Sequence, residues 1–353
     1  MPPRRGGRRP LAGSTRRLPL SATTAPLRRA ARLAQLNQPP PTTHLPPHDP
    51  NGTNLMITVS QLSKRYGKHV VVDDMSFEVA AGRVTGFVGP NGAGKSTTMR
   101  MMVGLTRPDC GEVRYRGVRY TELLRPACVV GSVLDARCMH PGRTARHHLH
   151  AIAQLSGIPR HRVAEVLHEV GLDAAADQRA GGFSLGMRQR LALAGALLGE
   201  PDVLLLDEPS NGLDPDGIRW LRGSLRTFAD QGGTVFVSSH LIAELAMFAD
   251  DLVVVGNGRL LVAEPVAATL ARGDTTVHVR TPDTAQLALR LDRAGFTVQA
   301  ADSTLSVLGA TADAVSQIAF DHQLRIVEIG ETSRSLEEIL LDITGATAEF
   351  ASA

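Results

Sequence analysis

The feature that most constrains this chain is the run Gly89-Pro90-Asn91-Gly92-Ala93-Gly94-Lys95-Ser96, set between a short apolar stretch, Arg83–Val88, and an apolar-periodic one, Thr97–Leu105. The run matches G-x-x-x-x-G-K-[ST], and a strand before it with a helix after it is the setting in which that pattern binds phosphate. The glycines let the backbone curl until successive N–H groups point at phosphate oxygens, and the helix N-terminus adds partial positive charge. Lys95 then bridges the β- and γ-phosphates, and Ser96 is a ligand for Mg2+. Of 38 basic residues only three are lysines, and one of them stands where a compact ammonium suits the loop better than a planar guanidinium. Residues Gly89 to Ser96, with Thr97 following, are the expected nucleotide-binding segment.

A second cluster supplies the acids. Val203-Leu204-Leu205-Leu206 is an uninterrupted apolar run that ends in Asp207-Glu208. Strand carboxyl ends line the ligand crevice of a doubly wound sheet, so Asp207 is placed to reach Mg2+ and Glu208 to polarise an attacking water. Between Met56 and about Ala271, short β-rich runs (Arg83–Val88, Val203–Leu206, Thr234–Ser238, Leu252–Gly256) alternate with longer amphipathic stretches. This predicts an α/β P-loop NTPase with a mainly parallel sheet buried on both faces. Residues from about 136 to 190 read as a helical insertion. From 272 to 353 the order becomes strand 276–280, helix 283–294, strands 296–300 and 304–308, helix 311–322, strand 325–330 and a last helix from Ser335, a β-α-β-β-α-β, ferredoxin-like accessory module.

Charge separates the N-terminus from the rest. Residues 1–55 hold nine arginines and one acid, Asp49, for +8, which leaves 3 − 8 = −5 for the remainder. An Arg- and Pro-rich segment with no period to bury is expected to be disordered. It imitates a targeting leader, and it also fits upstream DNA translated from a start assigned too early, since Met56 directly precedes the first strand. The part expected to fold is mildly acidic and the chain has 4% aromatic residues, which argues against a nucleic-acid partner. Cys110, Cys128 and Cys138 are odd in number and lack C-x-x-C spacing, so they are read as free, packed thiols. No stretch approaches the roughly 20 apolar residues a membrane span needs, so membrane work requires another chain. His147 and His148 are adjacent and point about 100° apart on a helix, with no third ligand at metal spacing, which argues against a metal site there.

Phe183-Ser184-Leu185-Gly186-Met187-Arg188-Gln189-Arg190 resembles the ABC signature, usually L-S-G-G-Q; Ser210-Asn211-Gly212-Leu213-Asp214 resembles the D-loop, and Ser238-Ser239-His240 the H-loop. In this order with the two phosphate-site motifs, residues 56–270 are similar to ATP-binding subunits of ABC transporters. Ser335-Leu336-Glu337-Glu338-Ile339-Leu340 is similar to the ending of the drug and antibiotic exporter branch, daunorubicin- and bacitracin-type. The resemblance implies that Tyr66 stacks on adenine and that His240 orients the γ-phosphate and water beside Glu208. It also implies that Ser184 and the backbone of Gly186 meet the γ-phosphate held by a second ATPase subunit, in a homodimer with two composite sites. Asp135 stands where the family carries a glutamine linked to Mg2+. Implied partners are that second subunit and an integral membrane permease, at the cytoplasmic face of the cell membrane.

Leu185, Met187 and Asp135 depart from the family pattern. A hydrolysis-deficient regulatory module therefore stays open as an alternative, as does a soluble ABC ATPase working without a permease. Lys95→Ala is expected to weaken ATP binding in calorimetry with magnesium, whereas retained affinity would contradict the phosphate-loop assignment.

Overall fold

A computed structural model describes residues 55–135, 139–271, 273, 275–301 and 303–345. The extension read as disordered lies outside the described residues except for Leu55, which opens the first strand, and Cys138 also lies outside them.

The chain begins with β1 (Leu55–Tyr66), β2 (His69–Ala80) and β3 (Val84–Val88), followed by the phosphate loop and α1 (Lys95–Met102). Strands β4 (Cys110–Tyr115), β5 (Val118–Arg119) and β6 (Val130–Val133) lead to the helices α2 (Ala145–Ser156), α3 (Arg162–Glu169) and α4 (Leu185–Leu197). Then come β7 (Val203–Asp207), α5 (Pro215–Asp230), β8 (Thr234–Ser239), α6 (Ile242–Ala246), β9 (Asp251–Gly256), β10 (Arg259–Pro265) and α7 (Val266–Leu270). The C-terminal part holds β11 (Thr275–Arg280), α8 (Thr284–Arg293), β12 (Thr297–Ala301), β13 (Thr304–Leu308), α9 (Ala312–Asp321), β14 (Glu328–Ser333) and α10 (Leu336–Thr344).

The central sheet has the order β10-β9-β3-β8-β7-β6; only the β9–β10 pair is antiparallel. Strands β3, β7, β8 and β9 read as nearly continuous buried runs because both of their faces are covered. Val84, Val88, Leu204, Leu206, Val235 and Val237 face a core shared with the helical insertion. Phe87, Val203, Leu205 and Phe236 face a second core under the antiparallel sheet β2-β1-β4-β5. Of that antiparallel sheet the sequence reading had named only the first strand. Its members are half exposed, so their signal is the weaker alternation of Met75, Phe77 and Val79 with polar neighbours.

Within the insertion, sharp local signals set the helix ends. Thr144 and Ser184 cap α2 and α4 by accepting from His147 N and Met187 N, each at 3.2 Å, and Gly157 in the left-handed region ends α2. Asp214 caps α5 with Pro215 in its first turn. Cys110 is exposed and Cys128 half buried, both free, so packing does not account for Cys110.

The C-terminal sheet runs β12-β13-β11-β14, all antiparallel, which is the ferredoxin-like order. Strand β14 starts three residues later than the hydropathy of 325–330 suggests. Arg325 N donates to Asp283 and Arg325 O accepts from Thr281 Oγ1, so pairing with β11 begins only at Glu328.

Phe236 is fully buried between Phe77 and Phe87, at centroid separations of 5.7 and 5.0 Å. Phe236→Ala is expected to destabilise the protein by about 3 to 5 kcal/mol, read as a lowered denaturation midpoint.

Candidate active site

The site is built where β3, β8 and β7, neighbours in the sheet, release their carboxyl ends. Past Val88 the phosphate loop turns through a bond from Ala93 N to Pro90 O of 3.2 Å and enters α1 at Lys95. Gly94 carries φ +96°, and a Cβ there would lie 2.6 Å from Val71 O, so side chain and conformation both demand glycine. That close approach also brings the start of β2 against the loop. Tyr66, at the tip of the β1–β2 hairpin, is 49% exposed with the Lys64 ammonium 5.5 Å from its ring centroid.

Lys95 is 6% exposed and folds into its own loop, donating to Gly89 O at 2.6 Å and Pro90 O at 3.2 Å. Burial pushes its ammonium below the usual lysine range, and the Glu208 and Asp207 carboxylates oppose that shift. Glu208 Oε1 lies 3.7 Å from Lys95 Nζ, while Oε2 accepts from His240 Nδ1 at 2.7 Å and His240 N at 3.3 Å. Glu208 sits at φ +48°, a conformation that costs a non-glycine residue about 1 to 2 kcal/mol. Such strain persists only where the surroundings over-determine it.

Much of that determination comes from Ser238. Its hydroxyl donates to Asp207 Oδ1 at 2.6 Å and accepts from Glu208 N at 2.9 Å, so one fully buried side chain orients both acidic residues. Sequence reading placed Ser238 beside His240 without a role; the available signal was a hydroxyl at the end of an otherwise apolar strand, next to the strand that carries the acids.

A cleft of about 320 Å3 opens here, lined by residues 90–92 and 94–97 of the loop, by Glu208 and His240, by Asn211 of the run that resembles the D-loop, and by Val71, which the sequence does not single out. Other expected site residues lie outside its lining. Asp207 is turned onto Ser238, and Asp135 is exposed beyond the edge strand β6. Ser184 is exposed and spends its hydroxyl on its own helix, and Gly186 packs near Leu213. Leu185, which stands where the family has glycine, lies against the loop after Glu208: a Cβ on Gly212 would be 2.4 Å from its Cδ2.

Ser238→Ala removes the shared anchor and leaves the phosphate loop intact. It is expected to slow ATP turnover at least about tenfold with ATP affinity little changed, measured by phosphate release and calorimetry. Equal turnover would show that the acids are oriented by other contacts.

Comparison with known proteins agrees with this geometry. The family profile described as ABC transporter matches residues 72–211, and one for a domain of unknown function (DUF8746) matches 275–337. An uncharacterized ABC transporter ATP-binding protein of Bacillus subtilis (strain 168), YhcH, is 32% identical over 297 residues, 83% of this chain and 97% of the relative. The bacitracin transport ATP-binding protein BcrA of Bacillus licheniformis is 39% identical over 212 residues, 58% of this chain and 68% of the relative. A solved ATP-binding subunit of an ABC transporter superposes with a TM-score of 0.56 at 27% identity, covering 62% of this chain and 92% of its own. With the phosphate loop, Glu208 and His240 lining one cleft, the chain belongs to the ATP-binding proteins of ABC transporters and is an ATPase.

Proposed function

We propose that this ATPase powers export of an antibiotic, drug or similar small hydrophobic compound through a separate permease at the cytoplasmic face of the membrane. The observation that carries the hydrolytic part is the Glu208 carboxylate, held by His240 at 2.7 Å and facing Lys95 across 3.7 Å. In that position Glu208 polarises water beside a phosphate seated in the loop, with His240 fixing its orientation. Lys95 exchanges its two carbonyl partners for phosphate oxygens, and Tyr66, half exposed at the hairpin tip, stacks on the base.

Ser96 and Asp207 offer hard oxygen donors, a set that fits Mg2+ alongside phosphate oxygens and water, and Asp135 is a further candidate from the helical-insertion side. The ion would neutralise charge on the phosphates. Ser184 and Gly186, outside the cleft of their own chain, act on the nucleotide of a second copy in a head-to-tail dimer that closes on ATP and opens after hydrolysis. Among the described residues no helix is long and apolar enough to cross a membrane, which supports a separately encoded permease. The bacitracin transport relative supports the antibiotic part of this cargo class.

Glu208→Gln is expected to slow hydrolysis by about 100- to 1000-fold while ATP still binds and the dimer still forms. Unchanged turnover removes Glu208 from the role of base. In cells carrying the chain with its permease partner, resistance to a panel of peptide antibiotics and hydrophobic drugs should rise, and E208Q should abolish the gain. Nucleotide-dependent dimers of the unaltered protein that never turn over would favour the regulatory alternative.

A further inference from the structure

Helix α10 closes the C-terminal part of the chain, yet its apolar side chains do not belong to the core there. That core is built on residues such as Val277, Val279, Leu287, Leu291 and Leu305. Leu336, Ile339 and Leu340 are 4%, 5% and 0% exposed, and Leu336 and Leu340 join the cluster that includes Ile242, Leu245 and Val254 of the ATPase body. Helix α10 packs against α6, α7 and β9.

Helix α6 is where this contact matters. It begins two residues after His240, spans five residues and has no side-chain cap. A helix of that length has no stability of its own, so its place is set by what it packs between. On one side Leu245 meets β3 at Gly86, where a Cβ would fall 3.0 Å from Leu245 Cδ1. Side chains of α5 border α6 too, with Arg222 Nη1 2.8 Å from Met247 Sδ at its end, and α10 packs against it from the C-terminal module. Only two residues, Arg334 and Ser335, join α10 to β14; Arg334 pairs with Asp342, and Ser335 forms a reciprocal cap with Glu338, so strand and helix are tightly linked.

We propose that Leu336 and Leu340 are positioning residues for hydrolysis: α10 holds α6, α6 holds His240, and His240 holds the Glu208 carboxylate. The C-terminal module is thereby a working part of the ATPase site and not an appendage. The inference rests on the reading of Glu208 and His240 as the hydrolytic pair.

The test uses the full chain. Leu340→Ala should lower kcat by about 10- to 100-fold, as a small misplacement of a catalytic group does, with ATP affinity by calorimetry unchanged. Leu340→Met should restore most of the rate. Leu291→Ala, which opens a similar cavity inside the module's own core, should leave kcat within about twofold. Because Leu340 acts through His240, the L340A/H240A double variant should be no slower than H240A alone. A normal kcat in L340A, losses that multiply in the double variant, or an equal loss in L291A would overturn the proposal. Should L340A not accumulate as folded protein, Leu340→Val carries the same comparisons. Normal turnover in H240A would instead fault the hydrolytic pair.

Discussion

Parallel pairing of β7 with β8, which sets Asp207 opposite Ser238, is the contact on which the site rests. A buried hydroxyl between two strand ends satisfies one carboxylate and one backbone N–H at once, where neither could be left unpaired without a penalty of about 1 to 3 kcal/mol. From that junction β7 turns sharply through Glu208 and β8 runs on to His240, so the two meet at 2.7 Å without any flexible segment between them. The strained backbone of Glu208 is the local expense of aiming its side chain into the cleft, and the pairing on both sides of the turn holds it there.

The lysine adds a different tension. An ammonium that is 6% exposed is poorly hydrated, so it borrows the carbonyl oxygens of Gly89 and Pro90 and leans toward Glu208. A phosphate entering the loop offers stronger, charged acceptors at the same place, and the loop N–H groups gain partners as well.

Legibility varied with how local each signal was. The phosphate loop, the acids after an apolar strand and the last helix opening at Ser335 are short-range patterns, and each is where the residues predict. The ferredoxin-like order was readable because its strands and helices alternate cleanly. Strand β14 slipped by three residues because Thr281 and Asp283, more than forty positions away, take the backbone groups of Arg325. The antiparallel sheet was faint because half-exposed strands dilute their own pattern.

Residue order alone determined that a triphosphate-binding loop exists, which side chains can touch phosphate, and that buried strands bring acids toward it. These depend on backbone conformations and periodicities spanning a few residues. The fold alone decided that Ser238 anchors both acids, that Leu185 lies on the Gly212 loop while Asp135 stays outside the cleft, and that α10 inserts its leucines beneath the helix after His240. The contacts among these join segments tens of residues apart along the chain, and no local pattern encodes which surfaces will meet.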